Sequence, residues 1–295
     1  MPSPFEAPAN QLATIAILLA VLIWAAQASL AVALNEIPPF LLTGLTLSIG
    51  GALSLPKIRH WKLSARPLAI GIYGIFVYHV FYFLALQNAP AMEANLAHYL
   101  WPALIVMMTP MFSPAKRIHW NHVAGMICGI AGVVAAVISC VGVCTSTSGF
   151  SSGYVYALFA AFVWATYSLL LGASKGHTVW TTGGVCLISG ILALVCHVVL
   201  EPTIYISNHE WTLIVIKGLG PMGLAFYLWD YGMRHGDSRL IGLFSYAIPV
   251  LSTLALSLVT DRPITTAIMV STSLVVIGGL LGFIATKTKK LALPA

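Results

Sequence analysis

The sequence predicts an all-α integral membrane protein, with ten transmembrane helices arranged as two inverted five-helix repeats around a central cavity. Three observations carry that reading. First, charged residues make up only 7% of the 295-residue chain while apolar ones make up 59%, and the mean hydropathy is +0.93. A soluble globule of this length could not cover its surface with so few charges, and apolar content this high excludes disorder. Second, apolar stretches of about 20 residues, the length that crosses hydrocarbon as a helix, recur throughout. Third, basic residues alternate between loops. The net charge of +6 therefore reads as loop bias in a membrane protein and not as a nucleic-acid surface. No hydrophilic stretch is long enough for a nucleotide-binding or receptor domain.

Taken in order, Pro, Gly and charge clusters bound apolar spans at residues 12–34, 38–55, 67–87, 91–113, 122–143, 151–171, 179–200, 211–234, 237–259 and 264–285. The first span has an apolar run before AQAS but no Lys or Arg ahead of it, so it reads as an anchor helix and not a cleaved leader. Short connectors such as NEIPP, NAP and RHGDSR force antiparallel neighbours. Crossing alternately, the chain places Lys57, Arg59, Lys62, Arg66, Lys116, Arg117, Lys175, Arg234, Arg239, Lys287, Lys289 and Lys290 on the side of both termini. Arg262 alone falls on the opposite side. Both termini are thus expected in the cytoplasm.

A weak repeat divides the spans into residues 1–148 and 149–295. LAVLIWAAQ, ending at Gln27, matches FAAFVWATY, ending at Tyr167, which sets Trp24 on Trp164. HYLWPALIV around Pro102 matches SYAIPVLST around Pro249, which sets Tyr99 on Tyr246. An odd number of crossings per half makes the second half enter from the opposite side, the architecture of alternating access.

Enzyme signatures are missing: there is no HExxH, GxSxG, Walker-type loop or CxxC pair. His119 and His122 have HxxH spacing but no acidic or thiol companions, so no metal and no cofactor is expected. Among five cysteines, Cys140 and Cys144 lie near a helix end, where pairing is open; the others read as small buried residues. What remains is polar and aromatic chemistry at mid-membrane. YHVFYF carries Tyr78, His79 and Tyr82, and EANLAHYLWP carries Asn95, His98, Tyr99 and Trp101. Polar groups this deep are costly and normally face the bundle interior. Alternatively, His79 and His98 satisfy each other or a helix carbonyl and merely hold helices together. Pro102 and Pro249, inside helical spans, are expected to kink them and serve as gating points. Glu93 and Asp230 lie near span ends within reach of interfacial water. Lys217, inside the eighth span, is expected to snorkel outward along its stem, with substrate contact as the alternative. Gly71, Gly74, Gly125, Gly129, Gly132, Gly278, Gly279 and Gly282 fit close helix packing.

At these residues the chain resembles the drug/metabolite transporter superfamily, EamA type, along nearly its whole length, with prolines in the fourth and ninth spans. The stretch YHVFYFLALQNAPAMEANLAHYLWP resembles the branch of bacterial aromatic amino acid exporters. The resemblance implies an inner-membrane exporter, with spans one, three, four, six, eight and nine lining a cavity and five and ten peripheral. Ile248 stands where that family commonly has a glutamate before the second-half proline, so no role of that glutamate carries over.

The leading expectation is export of amino acids, aromatic first, by alternating access. Tyr82, Trp101 and Trp164 would supply ring surface, and Tyr78, His79, His98 and Tyr99 hydrogen bonds, with Gln27, Asn95 and Ser245 as further contacts. The expected partners are a small-molecule substrate and membrane lipid, with no nucleic acid, and the chain is expected to be a monomer. The alternatives are a broad drug or metabolite efflux protein and, from another class, an intramembrane lipid-modifying enzyme or a scaffold subunit.

Overall fold

A computed structural model describes residues 11–112, 120–140, 151–172, 178–235 and 247–288. Ser245, Tyr246 and Cys144 lie outside them, as do the Cys140 side chain and the pairing question it raises. The described residues are helical throughout, with short connections.

Helices α1 (Gln11–Ala25) and α2 (Gln27–Val32) share one axis interrupted at Ala26, and α3 spans Pro39–Ala52. Helix α4 (Ala65–Gly71) runs through a π-helical stretch, Ile72–Val77, into α5 (Tyr78–Asn88). Helix α6 (Ala91–His98) breaks at Tyr99 and Leu100 before α7 (Trp101–Phe112). Pro102 is therefore the second residue of a new helix, where its missing N–H costs nothing, and not a residue inside a continuous one. Helices α8 (Trp120–Cys140), α9 (Ser152–Gly172) and α10 (Val179–Leu200) are unbroken. Helix α11 (Asn208–Leu219) passes through a second π-helical stretch, Gly220–Leu224, into α12 (Ala225–His235). Helices α13 (Ala247–Thr260), with Pro249 buried near its start, and α14 (Thr266–Thr288) complete the chain.

By length and apolar composition, six stretches among the described residues are able to cross a membrane: Gln11–Val32, Ala65–Asn88, Trp120–Ile138, Ser152–Leu170, Val179–Leu200 and Asn208–Gly232. Pro39–Ala52, Ala247–Thr260 and Thr266–Leu281 are apolar but shorter. Leu22, Val198 and Leu258 are among many large apolar side chains on the outer surface. They have nowhere to go but lipid.

The tightest packing joins α8 to α14, α3 to α10, α5 to α9 and α1 to α12. Glycine sets how close two of these pairs come. A Cβ on Gly278 would lie 2.5 Å from the Gly125 carbonyl, and one on Gly51 2.4 Å from the Leu187 nitrogen. Both are backbone contacts that only a hydrogen at that position allows. At the chain's outer loops, Glu201 accepts the Phe40 and Leu41 N–H groups at 2.8 and 3.0 Å, capping α3 from the end of α10.

Two apolar clusters make the core. One holds Tyr78, Tyr82, Phe83, Tyr167 and Phe226; the other holds Ile17, Tyr99, Leu100 and Ile248. Trp24 packs against both. The space between them is not filled.

Candidate functional site

That space is a cavity of about 580 Å³, its open mouth included. It is lined by Trp24, Gln27, Tyr78, His79, Tyr82, His98, Tyr99, Trp101, Trp164, Phe226, Trp229 and Ile248. These come from α1, α2, α5, the α6–α7 break, α9, α12 and α13; helices α8 and α14 pack behind.

The π-helical stretches help to shape the wall. A π turn displaces the ladder and leaves carbonyls for side chains. Pro221, in the second stretch, accepts the Trp24 indole N–H at 3.0 Å. The polar end of Trp24 is thereby tied to the scaffold and its ring is held against Phe226 and Trp229, with centroids at 5.7 and 5.0 Å. Ile75, in the first stretch, lies 2.7 Å from His79 Nδ1. A carbonyl only accepts, so Nδ1 carries the proton of that bond and the ring is oriented by its own helix.

The break after His98 does comparable work for the facing wall. His98 is buried, and neither ring nitrogen has a hydrogen-bond partner. Its ring lies among Tyr78, Tyr82 and Tyr99, at 5.5, 4.8 and 5.6 Å. Two orphaned nitrogens in a low-dielectric wall are expensive unless something else bonds them. His79 and His98 do not satisfy each other. One is bound to a helix carbonyl, and the other faces the cavity unpaired.

Asn95 stands behind the lining. Tyr82 donates its hydroxyl to Asn95 Oδ1 at 3.1 Å, and Asn95 Nδ2 donates to Ser252 Oγ at 2.8 Å, joining α5, α6 and α13. Trp164 completes the aromatic belt, 4.9 Å from Tyr78 and 6.5 Å edge-on to Trp101. Eight of the residues singled out in the sequence thus meet on one cavity: Gln27, Tyr78, His79, Tyr82, His98, Tyr99, Trp101 and Trp164. Asn95 supports Tyr82 from behind. Trp24, Phe226, Trp229 and Ile248 also line it, and the sequence marked none of them as a contact. The Trp24–Trp164 match was the one signal available, because it sets Trp24 on a residue already assigned to the site.

Two charged groups behave differently from the sequence expectation. Lys217 does not snorkel: it is fully buried, and its ammonium donates to the Gln27 carbonyl at 2.9 Å and to Gln27 Oε1 at 3.2 Å. The break at Ala26 turns Gln27 toward α11 and provides both acceptors. Glu93 does not reach interfacial water through its own exposure, being 1% exposed. Arg262 holds it bidentately at 2.9 and 3.1 Å, tying α6 to the α13–α14 turn.

Apolar spans on the outside and a cavity of rings and hydrogen-bonding groups within define a polytopic membrane protein with an open internal cavity. The chain belongs to the EamA-like transporter family, whose model matches it in two segments, residues 11–138 and 151–284. It is 41% identical over 244 residues, 80% of this chain and 85% of the other, to the aromatic amino acid exporter YddG of Ancylobacter novellus. It is 26% identical to the aromatic amino acid exporter YddG of Salmonella typhimurium, over 95% of this chain and 99% of that one. A protein of solved crystal structure, 34% identical, superposes with a TM-score of 0.73 over 96% of this chain and all of the other.

Proposed function

We propose that the protein exports amino acids, aromatic ones first, from the cytoplasm across the bacterial inner membrane by alternating access through this cavity. It is a transporter, as the family to which the chain belongs and a cavity of oriented rings and hydrogen-bonding groups support. The single observation that carries the reading is the union, in one cavity, of eight aromatic side chains with an unpartnered imidazole. A zwitterion with a ring needs both kinds of surface. The printed names of the Ancylobacter and Salmonella relatives support the same substrate class.

Alternating access needs two opposed units, and the packing supports them. Number the spans one to ten from α1–α2 to α14. The α3–α10 and α8–α14 pairs then join spans two with seven and five with ten, each span meeting its counterpart. The α5–α9 and α1–α12 pairs join three with six and eight with one, which exchange when every span is shifted by five. The π-helical stretches fall in spans three and eight, also counterparts. The family model matching in two segments supports the same division into residues 1–148 and 149–295. With the basic loops inside, both termini lie in the cytoplasm.

Purified protein in liposomes, loaded with a panel of labelled amino acids, tests this. Phenylalanine, tyrosine and tryptophan are expected to leave fastest, with Trp101→Ala and Trp164→Ala abolishing the preference. Equal flux of all amino acids, or of none, would overturn the aromatic assignment.

A further inference from the structure

Lys217 has no evident place in a cavity that it does not line. It is a lysine with no exposed surface, held in the middle of a membrane-crossing stretch. Among the described residues no carboxylate lies within ion-pair distance of it; the ion pairs there join His197 to Glu201 and Arg262 to Glu93. Its surroundings nonetheless suit an ammonium with three donors. Two acceptors come from Gln27, and the ring of Phe83 lies 5.0 Å from Nζ. A buried cation held only by neutral groups leaves a net positive field, large where the dielectric is low. Uncompensated, it costs stability; beside a transported anion it contributes binding.

Gln27 is the link. Its side-chain oxygen is turned back onto Lys217, which fixes the amide: the NH2 group is the end left over, and its only protein contact is a weak one to Met222 Sδ at 3.9 Å. Gln27 lines the cavity. The wall therefore carries the Gln27 side chain with the lysine directly behind it. A protonated lysine in that position would favour a carboxylate at this wall and do nothing for an ammonium.

We propose that Lys217 is a positioning residue that acts through Gln27 to make the cavity select substrates bearing a free carboxylate. This rests on the amino acid reading and adds to it which end of the zwitterion the α2–α11 wall reads. It also separates aromatic acids from aromatic amines and amides of the same shape.

The test is calorimetric binding to purified protein with two matched pairs: L-phenylalanine against L-phenylalaninamide, and 3-phenylpropionate against 3-phenylpropionamide. Wild-type protein is expected to prefer the acid of each pair by about tenfold or more, the scale of a charge-assisted bond in a dry site. Lys217→Met should bring that ratio to about two by weakening the acids and leaving the amides as they were. Lys217→Arg should retain most of it. Gln27→Glu gives the buried ammonium a countercharge, so it keeps the fold even if Lys217→Met does not, and it should lose the same discrimination. A lysine that merely pins α11 to α2 would lower the melting temperature and weaken acid and amide alike. An unchanged ratio in Gln27→Glu and in whichever Lys217 variant folds, or a wild-type protein with no preference, overturns the proposal. If liposomes export no amino acid but the phenylpropionate ratio still depends on Lys217, carboxylate selection stands and the amino acid assignment falls.

Discussion

The cavity has two unlike walls. Residues from Trp24 to Trp101 contribute Gln27, Tyr78, His79, Tyr82, His98 and Tyr99, side chains rich in donors and acceptors. Residues from Trp164 to Ile248 contribute Trp164, Phe226, Trp229 and Ile248, where the indole N–H groups are the only polar atoms. The helices behind the walls pair as counterparts, yet the linings do not. On the proposed reading, the paired helices would fix where a ligand sits, while the asymmetric lining would fix which way round it lies. The polar wall would read the charged ends and the apolar wall would receive the ring.

The comparison breaks most readily at His98. His98→Phe keeps a ring of similar size and removes two buried nitrogens that have no protein partner. Removing unsatisfied groups should leave the melting temperature unchanged or higher, since each such group costs about 1–3 kcal/mol. Binding should suffer, because a hydrogen bond to a charged ligand is worth about 1.5–3 kcal/mol, or roughly ten- to a hundredfold. Opposite signs for stability and binding would mark His98 as a ligand group. A variant that loses both would mark it as structural and blur the distinction between the walls.

Trp164→Ala attacks the other wall. Aromatic contacts add about 0.5–1.5 kcal/mol beyond the area they bury, so phenylalanine and tryptophan should lose about tenfold in affinity and leucine only a fewfold. Equal losses for aromatic and aliphatic amino acids would mean that this wall does not read the ring.

The polar wall was largely legible in the sequence and the apolar wall largely was not, for a physical reason. Tyr78, His79, His98 and Tyr99 stand out because polar atoms in hydrocarbon need a justification. Phe226 and Ile248 need none: an apolar side chain facing a cavity has the same sequence signature as one facing the core or lipid. Among the described residues, helix ends fall within a few residues of the expected span ends, except where helices break without a usual breaker; the expected start at 237 lies outside them. The Ala26 break lies in AAQAS, with no Pro or Gly, and it is what draws Lys217 inward. The Leu100 break precedes Pro102, so the proline begins a helix where a kink was expected. Ser252 could not be found at all, because a serine in an apolar span normally bonds its own helix.

A smaller effect is expected one layer behind the polar wall. Tyr82→Phe removes the hydroxyl that bonds Asn95 Oδ1 and leaves that buried oxygen unpaired, though Asn95 still donates to Ser252. The cost to stability should be about 1 kcal/mol, seen as a lower melting temperature, with a two- to threefold change in phenylalanine affinity at most. Loss of binding as severe as that of His98→Phe would mean that the Tyr82 hydroxyl, and not its ring alone, contacts substrate.

The smallest effect on selectivity should come from the tie that joins the walls outside the cavity. Glu93, 1% exposed, is held by Arg262, whose side chain is 34% exposed and can turn to water. Glu93→Gln removes the buried charge along with the pair, so nothing charged is stranded inside, and the amide oxygen still accepts from one guanidinium N–H. Partial exposure of the arginine keeps the net loss near 1 kcal/mol, below that of a fully buried pair. The melting temperature should fall slightly, and the affinity ratio of phenylalanine to leucine should stay within about twofold of the wild-type value. Should that ratio shift as far as it does in Trp164→Ala, the walls would not be independent readers, and ligand orientation would depend on how α6 and α13 are held together at their outer ends.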